Sequence, residues 1–286
     1  MNKNMRYAIY GVILVVCLIS VILAIYDAVF VESDDQTGYV IPSIGNQSTQ
    51  TPSEEEEEET MEVRVANFKT LFTNQLYKGN YDTSAIEKLD ASQDIVYSAA
   101  VVQDEQEMYE VDLNIPLINI NNEVVQEFNI ATQEIFADRA NQIMQSATVK
   151  TIFDIDYVAY VNGDILSVVI MSNLKEGDQA QRVIVQTYNY NLRTRQKVTA
   201  EEILTSLQYD IATVNDEIKR QITQASQDAA ILQQSGYEVY GRNPEDSRYQ
   251  VANADTYFLG ENGAFYLIYA YGNQAVTSEM DIIRFD

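Results

Sequence analysis

Paired carboxylates are the residues of this sequence whose type and spacing could carry out chemistry. Asp154 and Asp156 are two positions apart in an apolar run, and Asp164 directly follows an Asn-Gly turn. Two carboxyl groups that flank a sugar linkage can hydrolyse it, one as the acid and the other as base or nucleophile. With 43 acidic residues in the chain, however, a suitable pair arises anywhere. We therefore expect no catalysis, and keep a carboxylate-based hydrolase as the weakest alternative.

The absence of histidine excludes several other kinds of catalysis. The chain has no histidine, and its single cysteine is Cys17. Ser-His-Asp and Cys-His mechanisms and histidine-ligated zinc sites are therefore impossible. The sequence also contains no phosphate-binding loop, dinucleotide fingerprint or complete EF-hand loop. We expect neither a cofactor nor a metal, and a fold that is stabilised by its core rather than by disulfides.

Tyrosines are the second group of residues that could have a functional role. Tyr188 and Tyr190 share one face of a predicted strand, and Tyr266, Tyr269 and Tyr271 cluster in another. Exposed aromatic rings can stack on sugars, so these five tyrosines are the candidate ligand-binding residues. The competing interpretation is that they pack against each other across strands. The absence of tryptophan favours that second interpretation.

The charge distribution limits the possible partners. All 43 acidic residues but only 16 of the 18 basic residues follow residue 26. Phosphate recognition requires a basic surface, so nucleic acid is excluded as a partner. An acidic surface attracts cationic partners, although it can also serve solubility alone.

Residues 8–26 are predicted to span a membrane. They contain no charge and no proline, and a helix that rises about 1.5 Å per residue over this stretch nearly matches a bilayer core of about 30 Å. Lys3 and Arg6 precede the segment and Asp27 follows it, which predicts that residues 1–7 are cytoplasmic and that the C-terminal part is extracellular. A cleaved signal peptide is the alternative, but the apolar run is long and no small-x-small cleavage site ends it.

Residues 27–60 are predicted to form an acidic flexible linker. Ser, Thr, Gln and Glu dominate this segment, which ends in the six consecutive glutamates of residues 54–59. Too few large apolar residues are present to offset the entropy of ordering. The glutamate run could bind divalent cations weakly, but contiguous carboxylates are usually solvated.

Residues 61–150 are predicted to form a first α+β subdomain. Apolar residues at helical spacing predict a helix over residues 65–76. Two runs rich in β-branched and aromatic residues, 95–102 and 108–115, predict a half-buried hairpin that Pro116 ends. A helical spacing then recurs over residues 125–144 and predicts a long helix packed across a sheet.

Residues 151–286 are predicted to form a second α+β subdomain. Runs 151–161 and 164–172 flank the Asn-Gly turn, and 182–192 adds a third strand, which predicts an antiparallel meander. Thr199 and Glu202 have the spacing of a helix capping box.

The last part of the sequence predicts further strands. Residues 255–258 and 264–271 are expected to pair, and 280–285 to close the sheet. Strands and helices come in blocks instead of alternating strictly, so we expect an α+β fold, an antiparallel sheet with packed helices.

Two stretches of this sequence carry a resemblance to known families. Residues 188–192 (Tyr-Asn-Tyr-Asn-Leu) with Thr194 and Lys197, then a capped helix and residues 257–259 (Tyr-Phe-Leu), resemble the extracytoplasmic domain of the RsiV family of membrane-bound, lysozyme-sensing anti-sigma factors. Residues 109–120, which end in Ile-Pro-Leu-Ile-Asn-Ile, are similar to the companion domain shared with the non-catalytic N-terminal part of PdaC-type peptidoglycan deacetylases.

The resemblance covers about residues 61–286 and departs from both families. Such anti-sigma factors hold their sigma factor with a cytoplasmic segment, and residues 1–7 are too short for that. The deacetylases use a metal held by Asp and His, whereas this chain has no histidine. Arg195 stands where the family is expected to have a tight-turn glycine.

The resemblance implies a membrane-anchored extracytoplasmic binding or sensing module without catalysis. The expected ligand is a cell-wall component such as peptidoglycan, or a cationic protein such as lysozyme. The alternatives are a structural partner in a cell-envelope complex and, with least support, a carboxylate-based cell-wall hydrolase.

Overall fold

The computed structural model describes residues 61–271 and 279–286. The predicted membrane span at residues 8–26 and linker at 27–60 lie outside the described residues. Within the described ranges, none of the helices combines the length and the apolar character needed to cross a bilayer.

Helices and strands alternate in blocks along the chain. The first half contains α1 (Met61–Lys69), β1 (Leu76–Tyr77), β2 (Val96–Glu105), β3 (Tyr109–Ile118), α2 (Glu123–Thr132), a π-helical turn (Gln133–Ala137) and α3 (Asp138–Ser146). The second half contains β4 (Thr151–Asn162), β5 (Ile165–Glu176), β6 (Arg182–Asn191), β7 (Gln196–Lys197), α4 (Ala200–Ser206), α5 (Ile211–Gln234), β8 (Tyr257–Leu259), β9 (Phe265–Tyr271) and β10 (Glu279–Phe285). This mixture confirms the predicted α+β class.

The larger of two sheets has the strand order β2-β3-β4-β5-β6-β7, and β1 joins it beside β4. The pairs β2–β3, β4–β5, β5–β6 and β6–β7 are antiparallel, as the hairpin and meander predictions require. Strands β3 and β4 are parallel, with Tyr109 opposite Thr151. Parallel neighbours need a long crossover connection, and α2, the π-helical turn and α3 supply it. This pair therefore joins the sequence before residue 150 to the sequence after it.

The smaller sheet has the order β10-β9-β8 and is antiparallel throughout. The predicted pairing of β8 with β9 is confirmed, but these strands do not extend the larger sheet. The reason lies in β9, which is apolar on both faces: Leu267 packs towards the helices and Ile268 packs towards the larger sheet. A strand that buries both faces fits between two layers rather than at a solvent-exposed edge.

Three apolar cores hold four layers together. The first lies between α2–α3 and one face of the larger sheet, and includes Val125, Phe128, Phe136, Phe153, Ile155 and Tyr157. The second lies between the two sheets and α1, and includes Phe68, Val158, Val169, Phe258, Ile268 and Ile282. The third lies between the smaller sheet and α4–α5, and includes Ile203, Ile218, Ile222, Phe265, Leu267 and Ile283.

Two predicted boundaries were wrong for local reasons. Pro116 does not end β3, because the strand continues to Ile118 and Pro116 faces Ser98, where the register shifts at a bulge. A bulge tolerates a residue that has no N–H to donate. The first helix ends at Lys69, and Asn74 makes a turn with a φ of 58° that leads into β1.

The predicted helix cap is present, and Arg195 has an unusual backbone conformation. The Glu202 backbone N–H donates to Thr199 Oγ1 at 3.2 Å, and the Thr199 N–H donates to Glu202 Oε2 at 2.8 Å, so the capping box is confirmed. Arg195 has a φ of 59°. The position therefore has the left-handed backbone that glycine adopts most easily, although an arginine occupies it in this chain.

Candidate functional site

A group of carboxylates lies on one face of the larger sheet. We call it the acidic face and define it as Glu105, Glu110, Asp112, Asp154 and Asp156, on strands β2, β3 and β4. Asp112 is directly opposite Asp154, and Glu105 is directly opposite Glu110. Directly opposite residues have Cβ atoms about 4.5–5.5 Å apart, so these acidic side chains are close neighbours.

The alternation of β3 and β4 places these side chains on a single face. Val111 and Leu113 on β3 and Phe153 and Ile155 on β4 are buried under α2–α3. Successive side chains of a strand point to opposite faces, so the carboxylates between them face away from those helices. The parallel register then brings the two rows of acids side by side.

The acidic face is the part of that side of the sheet that the smaller sheet does not cover. The smaller sheet and α1 pack on Val158 and Tyr160 of β4 and on Val169 of β5. Nearer to the carboxylates, Val101 of β2 has 61% of its surface exposed. A partner can therefore reach these acidic side chains directly.

The electrostatics of the face are unfavourable in the free protein. Partial burial raises the pKa of the Asp154 carboxyl, and the negative charges of Asp112, Glu110 and Asp156 raise it further. Like charges directly opposite each other on a sheet destabilise it. Asp156 is partly compensated because the side-chain amides of Asn74 and Asn114 donate to its Oδ1 at 2.7 and 3.3 Å.

The structure separates the three aspartates that the sequence offered for acid–base chemistry. Asp154 and Asp156 share the acidic face, but Asp164 lies beyond the far end of β4, about 25 Å along a strand that rises roughly 3.3 Å per residue. There it forms an ion pair with Arg193, whose Nε lies 2.7 Å from its Oδ2. In the described ranges, no group of three or more acidic or cysteine side chains is arranged to hold a metal ion.

The four candidate tyrosines whose side chains the structure describes do not form one surface. Tyr188 is 5% and Tyr190 1% exposed, and the ring of Tyr188 stacks on Phe128 at 4.5 Å. Tyr266 and Tyr269 lie on opposite faces of β9, since Tyr266 packs between the sheets and Tyr269 packs under the helices. The side chain of Tyr271 lies outside the described part. Ligand binding by these residues stays a prediction.

The contacts of the tyrosines show why they pack inside. Tyr269 meets Tyr249 edge to face, with ring centroids 4.9 Å apart. Tyr266 stacks on Phe258 at 4.5 Å, and the guanidinium of Arg284 lies 5.7 Å from the Tyr266 ring centroid. Burial raises the pKa of the Tyr188 phenol, as expected for a ring that is part of a core.

Sequence reasoning missed Glu105 and the grouping of Glu110 and Asp112 with Asp154. The alternation of β3 already put Glu110 and Asp112 on a polar face, which is the signal that was available. The pairing of β3 with β4 was not visible, because the two strands are separated by the whole α2–α3 crossover.

A second charged site, which the sequence did not indicate, is buried beneath α5. Asp281 of β10 is fully buried, and its Oδ1 accepts a hydrogen bond from Arg242 Nε at 2.8 Å. The Tyr249 hydroxyl donates to Asp281 Oδ2 at 3.1 Å, and Arg242 NH1 donates to the Tyr240 carbonyl at 3.0 Å. This cluster stabilises the interior and is not open to a ligand.

Comparisons with known proteins identify structural neighbours only. No protein-family model matches the sequence, and no curated protein matches it. A DUF3298 family protein from Pseudomonas aeruginosa PAO1 is similar in structure, with a TM-score of 0.37 and 16% identity over 63% of this chain and 83% of that chain. A member of the same family from Bacteroides fragilis NCTC 9343 has a TM-score of 0.33 and 11% identity over 62% of this chain and 80% of that chain. These neighbours are DUF3298 family proteins, and the relation to the RsiV family stays a prediction.

Proposed function

We propose that this chain is a membrane-anchored extracytoplasmic module that binds a cationic protein through the acidic face. The observation that supports the proposal is the grouping of five carboxylates on an open part of the larger sheet. The predicted span at residues 8–26 anchors the module and places this face outside the cell.

A cationic partner relieves the repulsion among these carboxylates. In the free protein, Asp154 has a raised pKa because it is partly buried beside three other acids. Lysine and arginine side chains of a partner would lower that pKa and add attractive Coulomb energy. The acidic chain as a whole also speeds the encounter with a positively charged protein.

The geometry favours a protein over a single ion or an anionic polymer. The carboxylates spread over three strands, which lie about 4.8 Å apart in a sheet, so they match several cations on a surface better than one metal ion. Anionic wall polymers would be repelled by the same charges. Lysozyme is the probe of choice because the resemblance to the RsiV family points to it.

The test is a calorimetric titration of the detergent-purified full-length chain with a lysozyme at low and moderate salt. The variant carries Glu110→Gln, Asp112→Asn and Asp154→Asn. We expect it to bind at least about tenfold more weakly, which corresponds to about 1.4 kcal/mol. We expect wild-type binding to weaken but remain measurable at moderate salt, since screening reduces long-range attraction more than it reduces pairs that are partly buried in an interface.

A matched control separates the acidic face from net charge. Glu201→Gln, Asp216→Asn and Glu238→Gln remove the same number of charges from exposed positions on other elements. This control should bind within about threefold of wild type. Equal losses in both triple variants would show that only net charge matters, and the absence of lysozyme binding at either salt concentration would favour the envelope-partner alternative instead.

A further inference from the structure

Strand β6 leaves one of its long edges without a neighbour over most of its length. On one side it pairs with β5 from Arg182 to Asn191. On the other side β7 pairs only with Tyr190 and Asn191. The edge before Tyr190 therefore offers backbone groups that could pair with another strand.

Backbone N–H and C=O groups alternate between the two edges of a strand, which identifies the residues of β6 whose groups lie on the open edge. Asn189 O accepts from Val198 N at 3.0 Å, and Asn191 O accepts from Arg195 N at 2.8 Å. The backbone N–H and C=O groups of the odd-numbered residues of β6 therefore point towards the open edge. Val183, Val185 and Thr187 thus present their N–H and C=O groups to the same edge. Across residues 61–271 and 279–286, no backbone hydrogen bond reaches these outward groups.

This edge is recessed between two cavities. A cavity of about 260 Å³ is bounded by Phe128 of α2, by Tyr188 and by Tyr257. A second cavity of about 620 Å³ is bounded by Val185, by the segment around Arg248 and by strand β9. Each cavity is lined by residues from both faces of β6. The two cavities therefore lie along the edge of this strand rather than on one of its faces.

The charges that line the recess leave one carboxylate without compensation. Arg248 pairs with Asp246 at 3.0 Å, and Lys197 lies 3.9 Å from a Glu127 carboxylate oxygen. Asp255 lines both cavities and is exposed. Among the residues that the structure describes, it has no ion pair.

One residue that lines the smaller cavity has a buried hydroxyl. Tyr188 lines the smaller cavity, yet its hydroxyl is buried and accepts or donates no hydrogen bond within the described ranges. Because solvent does not reach this hydroxyl, it belongs to the adjoining core and is not part of the proposed contact.

We propose that the recessed edge of β6 binds an extended peptide segment of a partner protein as an added strand, with a basic side chain of the peptide against Asp255. Strand addition uses main-chain hydrogen bonds for affinity and flanking pockets for alternate side chains. The larger cavity, lined by Val183, Val185 and Ile268, takes apolar side chains.

A single strand suits the recess better than a second copy of this chain. The edge lies between α2 on one side and the segment before β8 on the other. A second larger sheet would have to bring its own flanking helix and loops into the same space. The second copy would also be strongly acidic, whereas the uncompensated Asp255 attracts a basic residue.

This peptide site is separate from the acidic face. Strands β2, β3 and β4 carry the acidic face, whereas β6 lies near the opposite end of the strand order. Variants at one site should therefore leave binding at the other unchanged, so each proposal can fail alone.

The experiment begins with phage-displayed random linear heptapeptides selected on the detergent-purified full-length chain. The most enriched peptide is synthesised with a fluorophore and its affinity is measured by anisotropy. We expect enriched peptides to alternate apolar residues and to carry Lys or Arg. Failure to enrich any peptide would overturn the proposal.

Two variants of one residue test whether the edge is used. Val185→Pro removes an outward N–H that the fold does not use, and should weaken peptide binding at least tenfold. Val185→Thr keeps the N–H and the branched shape, and should bind within about twofold of wild type. Asp255→Asn should weaken binding several-fold and reduce the preference for basic peptides.

A modification of the peptide provides a test that does not depend on whether the proline variant folds. N-methylation at alternate residues of the peptide blocks strand pairing without altering the protein, and in one of the two alternations it should abolish binding. If the peptides methylated in the first alternation and those methylated in the second both bind normally, or if Val185→Pro binds as well as wild type, the proposal is wrong. A wild-type dimer that Val185→Pro converts to monomer would show that the edge pairs with a second copy instead.

Discussion

Asp281 and Asp154 are both acidic residues in strands, but the structure treats their charges in opposite ways. Asp281 is fully buried and is held by Arg242 and Tyr249. Asp154 is half-buried on an open sheet face, where the carboxylates of Asp112, Glu110 and Asp156 raise its pKa. The first charge is compensated within the chain and the second is not.

This difference separates a stabilising role from a binding role. A buried ion that loses its partner leaves an uncompensated charge, so a site such as Asp281 must be complete for the fold to be stable. An exposed group of like charges weakens the fold slightly but remains available to an oppositely charged partner. Variants at the two sites should therefore have opposite effects on the free energy of unfolding.

The largest expected effect is at the buried pair. Asp281→Ala should lower the free energy of unfolding by about 3–5 kcal/mol, because Arg242 is then left buried without its carboxylate. Urea denaturation followed by circular dichroism measures the change.

A second variant sharpens that prediction. Replacing both partners, as in Arg242→Met with Asp281→Met, should cost less than Asp281→Ala alone, since no unpaired charge remains. If Asp281→Ala costs less than about 0.5 kcal/mol, which is typical of an ordinary surface change, the cluster does not stabilise the interior and the contrast between the two aspartates fails.

A smaller effect of opposite sign is expected on the acidic face. Asp154→Asn should raise the free energy of unfolding at pH 7 by roughly 0.2–1 kcal/mol, because it removes repulsion from Asp112 across the strands. The raised pKa of Asp154 means that this carboxyl destabilises the folded wild type less as the pH falls. The advantage of the variant should thus shrink as the pH falls through the raised folded-state pKa, and it should be lost only below the unfolded-state pKa of about 3.9, where the carboxyl is protonated in both states.

Thermal melts of wild type and Asp154→Asn from pH 7 to pH 3.5 measure this dependence. Exposed Asp216 on α5 provides a matched aspartate, and Asp216→Asn should show almost no difference from wild type at any pH. A lower melting temperature for Asp154→Asn at pH 7 would contradict the prediction.

The smallest expected effect concerns salt. Raising NaCl from 0.05 to 0.5 M should stabilise wild type more than the double variant Asp112→Asn with Asp154→Asn, by roughly 0.2–0.5 kcal/mol, because salt screens the repulsion that the variant lacks. Chemical denaturation with urea, which is uncharged, measures the difference. An equal response of both proteins would mean that the acids repel each other too weakly to matter.

Patterns that are local in the sequence predicted the corresponding structure well. The hairpin between β4 and β5, the capping box of Thr199 and Glu202, and the long helix before residue 150 are all present. The two-residue loop of the hairpin is Gly163 and Asp164, one position later than the predicted Asn-Gly turn, because Asn162 still pairs with Ile165. Each depends on neighbours within a few residues, such as a turn that needs positive φ or an apolar stripe that repeats every three to four residues.

The candidate site was predicted only in part for the same reason. Alternation along β3 put Glu110 and Asp112 on a polar face, but their pairing with Asp154 depends on strands that are far apart in the sequence. The candidate tyrosines illustrate the opposite problem, because alternation showed that Tyr188 and Tyr190 share a face without showing that α2 covers it.

The sequence by itself determined the α+β class, most of the helices and strands, the excess of negative charge and the absence of histidine chemistry. Only the tertiary structure decided that the strands form two stacked sheets, that Asp281 is buried with Arg242, and that the acids of β2, β3 and β4 meet on one open face. The physical reason is that side-chain periodicity acts over a few residues, whereas strand register and layer stacking depend on contacts between distant parts of the chain.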